Sequence, residues 1–279
     1  MIIDGHTHIF PREVRQNRLR YCQKDPAFRE IYGDEKAQMI GPEPLIAAMD
    51  DAGVDMAVVC GFPWRNHDLC VMGNDAILEA VRRFPSRLVG FGCVYPEEPD
   101  RAVREIDRCV AGGLRGIGEI GFYGRGMTRK DRVGMESICK AMSRPKIPLL
   151  LHANETVGHS YPGKGDTDLR EIYRFVSSCP DLTIILAHWG GGLIFYEMMP
   201  SVARVTGRVY YDTAASPFLY RKSIYRVAHE IIGADRIVFG SDYPLIRPER
   251  YISEIRDAGL DQAPVDKILG ENMRGLLAL

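Results

Sequence analysis

A chain of 279 residues with 36 basic against 37 acidic side chains carries a net charge of only −1, and it has no long run of either sign. This argues against nucleic acid or an anionic membrane as partner and suits a small-molecule substrate. No apolar run approaches the roughly 18 residues that cross a bilayer, and the chain opens on a strand rather than on a basic stretch with an apolar signal core, so the expectation is a cytoplasmic protein.

Ile2-Ile3-Asp4-Gly5-His6-Thr7-His8 reads as the first strand. Side chains two apart on a strand share a face, so His6 and His8 present two imidazoles side by side, a spacing that can grip one divalent metal. The segment 11–41 is polar and broken by Pro11, Pro26 and Gly33. It reads as a loop excursion placed where either a lid or a surface decoration would sit, with Tyr21, Phe28 and Tyr32 packing locally. Helical periodicity over Pro44–Asp51 stops at Gly53, and a β-rich run follows to Cys60. Asn74 is expected to cap a helix through Phe84, with a third strand over Arg87–Val94. A helix over Pro99–Ala111 and a strand over Leu114–Glu119 come next. The later units are a helix at Asp131–Ser143, a strand at Ile147–Leu151, a helix at Asp168–Ser178 and a strand at Leu182–Ala187. After them come a helix at Leu193–Val205, a strand at Arg208–Tyr211, a helix at Lys222–Ile232, a strand at Arg236–Gly240 and closing helices from Pro248. The seven cysteines are scattered and never at C-x-x-C spacing, which argues against a disulfide framework or a zinc knuckle.

Eight strands alternating with helices call for a parallel sheet closed into one (β/α)₈ TIM barrel, a single α/β domain over residues 1–279. An open doubly wound sheet would want a glycine-rich phosphate turn after its first strand, and Asp4-Gly5-His6-Thr7-His8 is no such turn. The ionisable residues follow the same logic. Glu119, His152, His188 and Asp242 each stand at the C-terminal end of an apolar run, and in a parallel barrel those ends open on one rim, so a metal site is expected there.

On these residues the chain resembles the amidohydrolase superfamily, in its amidohydrolase-related branch of metal-dependent hydrolases and non-oxidative decarboxylases. The resembling pieces are His6-Thr7-His8, His152, Ala187-His188-Trp189-Gly190-Gly191, Phe239-Gly240-Ser241-Asp242-Tyr243-Pro244 and the tail Ile268 to Leu277. The resemblance implies a barrel binding one or two divalent metals through His6, His8, His152 and Asp242, with His188 as a second-metal ligand or a carbonyl-polarising group. Urease-type relatives carry a carbamylated lysine after strand four. Here Gly118-Glu119-Ile120-Gly121 looks like the metal-dependent deoxyribonuclease branch, where a glutamate binds metal, so Glu119 either touches metal or supports a histidine from behind.

The expected metal is zinc, with Mn²⁺ or Fe²⁺ as substitutes. A bound divalent ion lowers the pKa of its water and polarises a carbonyl. Asp242 is the expected proton shuttle and His188 the oxyanion stabiliser. The first expectation is thus a hydrolase of an amide, ester or lactone; the alternative is a decarboxylase of a small aromatic or unsaturated acid, and the third a non-catalytic metal-binding barrel. Arg65, Trp64, Arg125 and Trp189 lie in rim loops and are candidate substrate contacts, an arginine pairing a carboxylate. Asp4 is expected to brace its turn and Asp212 to cap a loop. His229 is read as structural, and His67 and His159 as solvated loop histidines. A homodimer is the expected assembly.

Overall fold

Valine, isoleucine and leucine dominate the strand segments because strands of a barrel are buried on both faces, by side chains inside and by helices outside. The computed structural model describes residues 1–143 and 146–279. Its strands are β1 (Ile3–His8), β2 (Met56–Cys60), β3 (Leu88–Gly92), β4 (Gly116–Ile120), β5 (Leu149–Leu151), β6 (Ile184–Leu186), β7 (Val209–Asp212) and β8 (Ile237–Val238). They pair in parallel in chain order, with Ile3 beside Met56, Leu149 beside Ile184 and Tyr211 beside Ile237. The seam between β1 and the chain at β8 is closed by backbone bonds. Gly5 N–H donates to the Phe239 carbonyl (2.7 Å), Asp242 N–H to His6 (2.8 Å) and His8 N–H to Tyr243 (2.8 Å). This is the expected (β/α)₈ barrel.

Ile3, Val58, Phe91, Leu150, Ile185 and Val238 fill the barrel interior, and Met273 and Leu277 of the last helix (Asn272–Leu277) join them from below. Asn272 holds that helix in place by donating to the Ala234 and Ile237 carbonyls, both at 2.7 Å. A larger apolar layer lies between strands and helices. No helix among the described residues is long and apolar enough to cross a membrane.

Three local expectations change. The second-unit helix spans His67–Arg83 and is capped by Asn66, whose side chain accepts from Leu69 N–H (3.0 Å). Asn74 instead lies buried mid-helix, donating to the Cys93 carbonyl (2.8 Å) and to Glu105 (2.7 Å). The helix expected over Leu193–Val205 is two short ones, Leu193–Tyr196 and Pro200–Val205, because Pro200 lacks the N–H to continue the first and fits the opening turn of the second.

The excursion over 11–41 is not a loop. It forms α1 (Arg12–Gln16), α2 (Arg18–Lys24) and α3 (Pro26–Tyr32). Phe10, Val14, Tyr21 and Phe28 pack with Phe62 and Trp64 of the loop after β2 and with Tyr123 of the loop after β4, forming a third core on the rim. Each aromatic ring fully buried there contributes on the order of 2–3 kcal/mol, enough to order helices too short to persist alone. Asp25 ties the join: Oδ1 accepts from Ala27 N–H (2.8 Å) and Phe28 N–H (3.2 Å), and Oδ2 from Arg65 N–H (2.8 Å).

Candidate metal centre

The alternation of β1 sends both imidazoles inward, where His6 is fully buried and His8 nearly so. Glu119 arrives from β4, after a glycine where a side chain would stand 2.2 Å from the Leu150 carbonyl oxygen. His152 follows β5 directly. His188 opens a left-handed turn, with φ of 56° at His188, 58° at Trp189 and 64°, 60° and 93° at Gly190, Gly191 and Gly192. A side chain on Gly191 would lie 2.3 Å from the Asn154 carbonyl oxygen, so the turn needs glycine for space as well as for its backbone angles. Asp242, itself at φ 57°, comes from beyond β8.

These groups converge. His6 Nε2 stands 3.0 Å from His8 Nε2, and His8 Nε2 3.1 Å from Asp242 Oδ1. Glu119 lies between two histidine pairs: Oε1 is 3.0 Å from His152 Nδ1, 3.6 Å from His188 Nε2 and 3.8 Å from His6 Nε2, and Oε2 is 3.8 Å from His8 Nε2. His6–His8–Glu119 and Glu119–His152–His188 are therefore two groups of donors able to hold a cation, sharing Glu119.

The donor set fits a metal on its own terms. His8 Nδ1 faces the Gly61 carbonyl (3.3 Å), which can only accept, so that nitrogen carries the proton. His6 Nδ1 faces Asp212 Oδ2 at 2.7 Å and is protonated for the same reason. Both Nε2 atoms then present lone pairs to each other and to Asp242, an arrangement that calls for a cation between them. The electrostatics express the same demand for positive charge, which protons on the imidazoles meet where no cation stands between them. Burial opposes charge throughout, yet Glu119 and Asp212 hold His6 well above the usual imidazole range, and Glu119, with Asp242 and Asp212, raises His188 to about 9. Against the same burial, His152 and His6 hold Glu119 well below the carboxylate range, and His8 and His6 hold Asp242 below it. The cluster stabilises anions and demands positive charge.

Asp212 does more than cap a loop. Besides orienting His6, its Oδ1 accepts from the backbone N–H of His188 (2.8 Å) and Ala214 (3.0 Å), so one carboxylate positions two of the clustered histidines. Asp4 braces its turn as expected, accepting from Ser241 N–H (2.9 Å) and Ser241 Oγ (2.5 Å). Tyr123 donates to Glu119 Oε2 at 3.0 Å and lies 3.3 Å from His152 Nδ1.

The four candidate substrate contacts fare differently. Arg65 turns its guanidinium to the loop after β4, donating to the Tyr123 carbonyl. Trp64 is buried in the rim core, stacked on Phe28 at 4.6 Å, and so supports the wall rather than facing a substrate. Arg125 is already paired with Asp131 and Glu97. Trp189 is fully buried away from the rim, its indole N–H on Ser216 Oγ (2.6 Å), because the left-handed turn that aims His188 inward turns the next side chain out into the helix layer. His67 is buried rather than solvated, while His159 is exposed and His229 half-buried.

A closed parallel barrel with histidines and carboxylates gathered on its C-terminal rim defines a TIM-barrel enzyme of the amidohydrolase type. The chain belongs to the amidohydrolase family, whose model matches residues 3–279. It is 22% identical over 259 residues to the gamma-resorcylate decarboxylase of Polaromonas sp., covering 77% of this chain and 78% of that protein. The 5-carboxyvanillate decarboxylase of Sphingomonas paucimobilis has the same fold, with a TM-score of 0.82 at 18% identity over 100% of this chain and 99% of that one. The 5-carboxyvanillate decarboxylase of Novosphingobium aromaticivorans, solved with manganese and 4-hydroxy-3-methoxy-5-nitrobenzoic acid, aligns with a TM-score of 0.79 at 18% identity, over 100% of this chain and 97% of that one.

Proposed function

We propose that the protein is a metal-dependent, non-oxidative decarboxylase of a small aromatic acid, the reading carried second from the sequence. The observation that carries it is an aromatic wall against His152 and Glu119, in a centre whose Asp242 reaches the open side. The Asp242 side chain is 17% exposed, against 2% for Glu119. Next to the centre, Tyr123 lies 4.6 Å from His152, and Phe62 stacks on Tyr123 at 5.9 Å and 16°. Planar rings suit such a wall. The decarboxylases among its relatives support the choice over hydrolysis, and the manganese in one of them supports Mn²⁺ ahead of the zinc expected from sequence.

A divalent ion held by His6, His8, Asp242 and Glu119, with His152 and His188 on the far side of Glu119, would supply Lewis-acid stabilisation of substrate oxygens. The chain's own groups do the rest. Tyr123 and Phe62 orient the ring. Asp242, ionised at rest, takes up a proton from solvent and passes it to the ring carbon bearing the carboxylate. The C–C bond then breaks with its electron pair restoring the ring, and carbon dioxide leaves. A carboxyl whose charged form is favoured gives up that proton readily. His188 holds developing negative charge on oxygen.

The test is carbon dioxide release from hydroxybenzoates and other aromatic acids by protein loaded separately with Mn²⁺ and Zn²⁺, run beside acid release from lactones and amides. Asp242→Asn should lower turnover by about 10²–10⁴ fold. Hydrolysis remains the second reading for one reason: Glu119 is shared by both groups of donors, the arrangement that two ions activating a water would use. Acid release without carbon dioxide release would select it.

A further inference from the structure

We propose that Tyr32, the last residue of α3, contacts the substrate and donates its phenolic hydrogen to an anionic oxygen of the bound aromatic acid. The inference deepens the decarboxylase reading and rests on it for the substrate class.

The ring of Tyr32 is fixed on three sides. It stands edge-on to Phe10 at 4.9 Å, stacks on Phe28 at 5.1 Å and stands edge-on to Phe62 at 5.8 Å. Phe62 continues through Tyr123 to His152, so Tyr32 is the outer member of the aromatic row that leads to the metal centre. Its neighbour Ile31 meets the loop after β5, where a side chain on Gly163 would lie 3.5 Å from Ile31 and 4.0 Å from Tyr123. The cover and that loop thus converge over Tyr123.

Three fully buried tyrosines elsewhere spend their hydroxyls within the protein, Tyr211 on Glu197 (2.7 Å), Tyr225 on Glu254 (3.2 Å) and Tyr251 accepting from Ala215 N–H (3.0 Å), whereas Tyr243 at the rim does not. Among the described residues none takes the hydroxyl of Tyr32, although its ring is half-buried and packed. Three charges bear on this hydroxyl, the carboxylates of Asp242 and Glu119 in the centre and, opposing them, the guanidinium of Arg18. Burial first, then Asp242 and Glu119, hold it above the usual phenol range, so it is a neutral donor in the field of two carboxylates. A neutral donor there has one kind of natural acceptor, an anionic oxygen brought in by the ligand and held off Asp242 and Glu119. The aromatic row fixes the rest of that ligand as a flat ring.

Tyr32→Phe keeps the ring and all three ring contacts while deleting the donor. Wild type and variant, both loaded with Mn²⁺, are titrated calorimetrically with benzoate and with 2-, 3- and 4-hydroxybenzoate, and carbon dioxide release is followed in parallel. Binding of at least one of the four should weaken about tenfold or more in the variant, with metal content and melting temperature unchanged. Equal affinity for all four would overturn the inference while leaving decarboxylation standing if carbon dioxide is released. Binding lost in the variant while neither protein releases carbon dioxide would uphold Tyr32 and sink the decarboxylase reading. A parallel fall in metal content or melting temperature would assign Tyr32 a packing role only, and a wild type that binds none of the four would overturn both.

Discussion

Replacing Asp212 with asparagine isolates the control of imidazole tautomers. Asp212 meets three hydrogens: His6 Nδ1–H at 2.7 Å on Oδ2, and the N–H groups of His188 and Ala214 at 2.8 and 3.0 Å on Oδ1. Asparagine keeps nearly the same shape but has one acceptor oxygen. If that oxygen stays on the two backbone donors, the new amide points its own hydrogens at His6 Nδ1. The imidazole must then shift its proton to Nε2, the atom 3.0 Å from His8 Nε2 where a lone pair is needed. If the amide flips, His6 keeps its tautomer and two fully buried backbone donors lose their acceptor, at about 1–3 kcal/mol each. Either way metal affinity should fall about 10- to 100-fold, the usual cost of losing a carboxylate behind a histidine ligand. Competition for Mn²⁺ or Zn²⁺ against a chromophoric chelator measures it directly, with the melting temperature in excess metal reporting on the fold. Affinity within about threefold of wild type would refute the tautomer argument.

Glu119→Gln should lower the bound-metal stoichiometry by about one ion per chain, read by elemental analysis after dialysis, since the residue stands in both groups of donors; an unchanged ratio would put Glu119 outside the metal's reach. Far from the centre, Glu105 is buried with Asn74 (2.7 Å) and two bonds from Arg108 (both 2.7 Å), which overcome burial and hold its carboxyl below the ordinary range. A depressed folded-state pKa contributes stability that is complete above the unfolded value and is lost as pH falls through the folded one. Glu105→Gln should therefore be less stable than wild type at pH 7, with the gap closing below about pH 4; urea curves that stay parallel down to pH 3 would contradict this.

Much of the barrel was legible because most strands, such as Leu149–Leu151 and Ile184–Leu186, are buried on both faces and so read as an apolar run ending at a polar residue. That signal places His152 after Leu149–Leu151 and His188 after Ile184–Leu186, but it overstates strand length: Arg236–Gly240 was expected where only Ile237 and Val238 pair. What sequence could not supply was direction. Trp189 and Arg125 are in rim loops, yet one turns outward on a left-handed backbone and the other is claimed by Asp131 and Glu97. Asp212 looked like an ordinary cap because its chief partner, His6, is 206 positions away. The helices of the excursion, five to seven residues each, are too short to show a periodicity. The donor set also says which ion-binding chemistry is available without saying which bond is cut, since hydrolysis and decarboxylation draw on the same histidines and carboxylates.

The seam between the first and last strands has a consequence for how the protein is made. His6 and His8 lie on one side of it and Asp242 on the other, and the bond from Ser241 to Asp4 across it spans 237 positions. During synthesis the early histidines wait for more than 230 further residues before Asp242 exists, so an ion bound by all three would be captured at the end of folding, when the cylinder shuts. An ion bound by these residues would act as a clasp across the join, and withdrawing it would loosen the barrel first where its first strand meets its last.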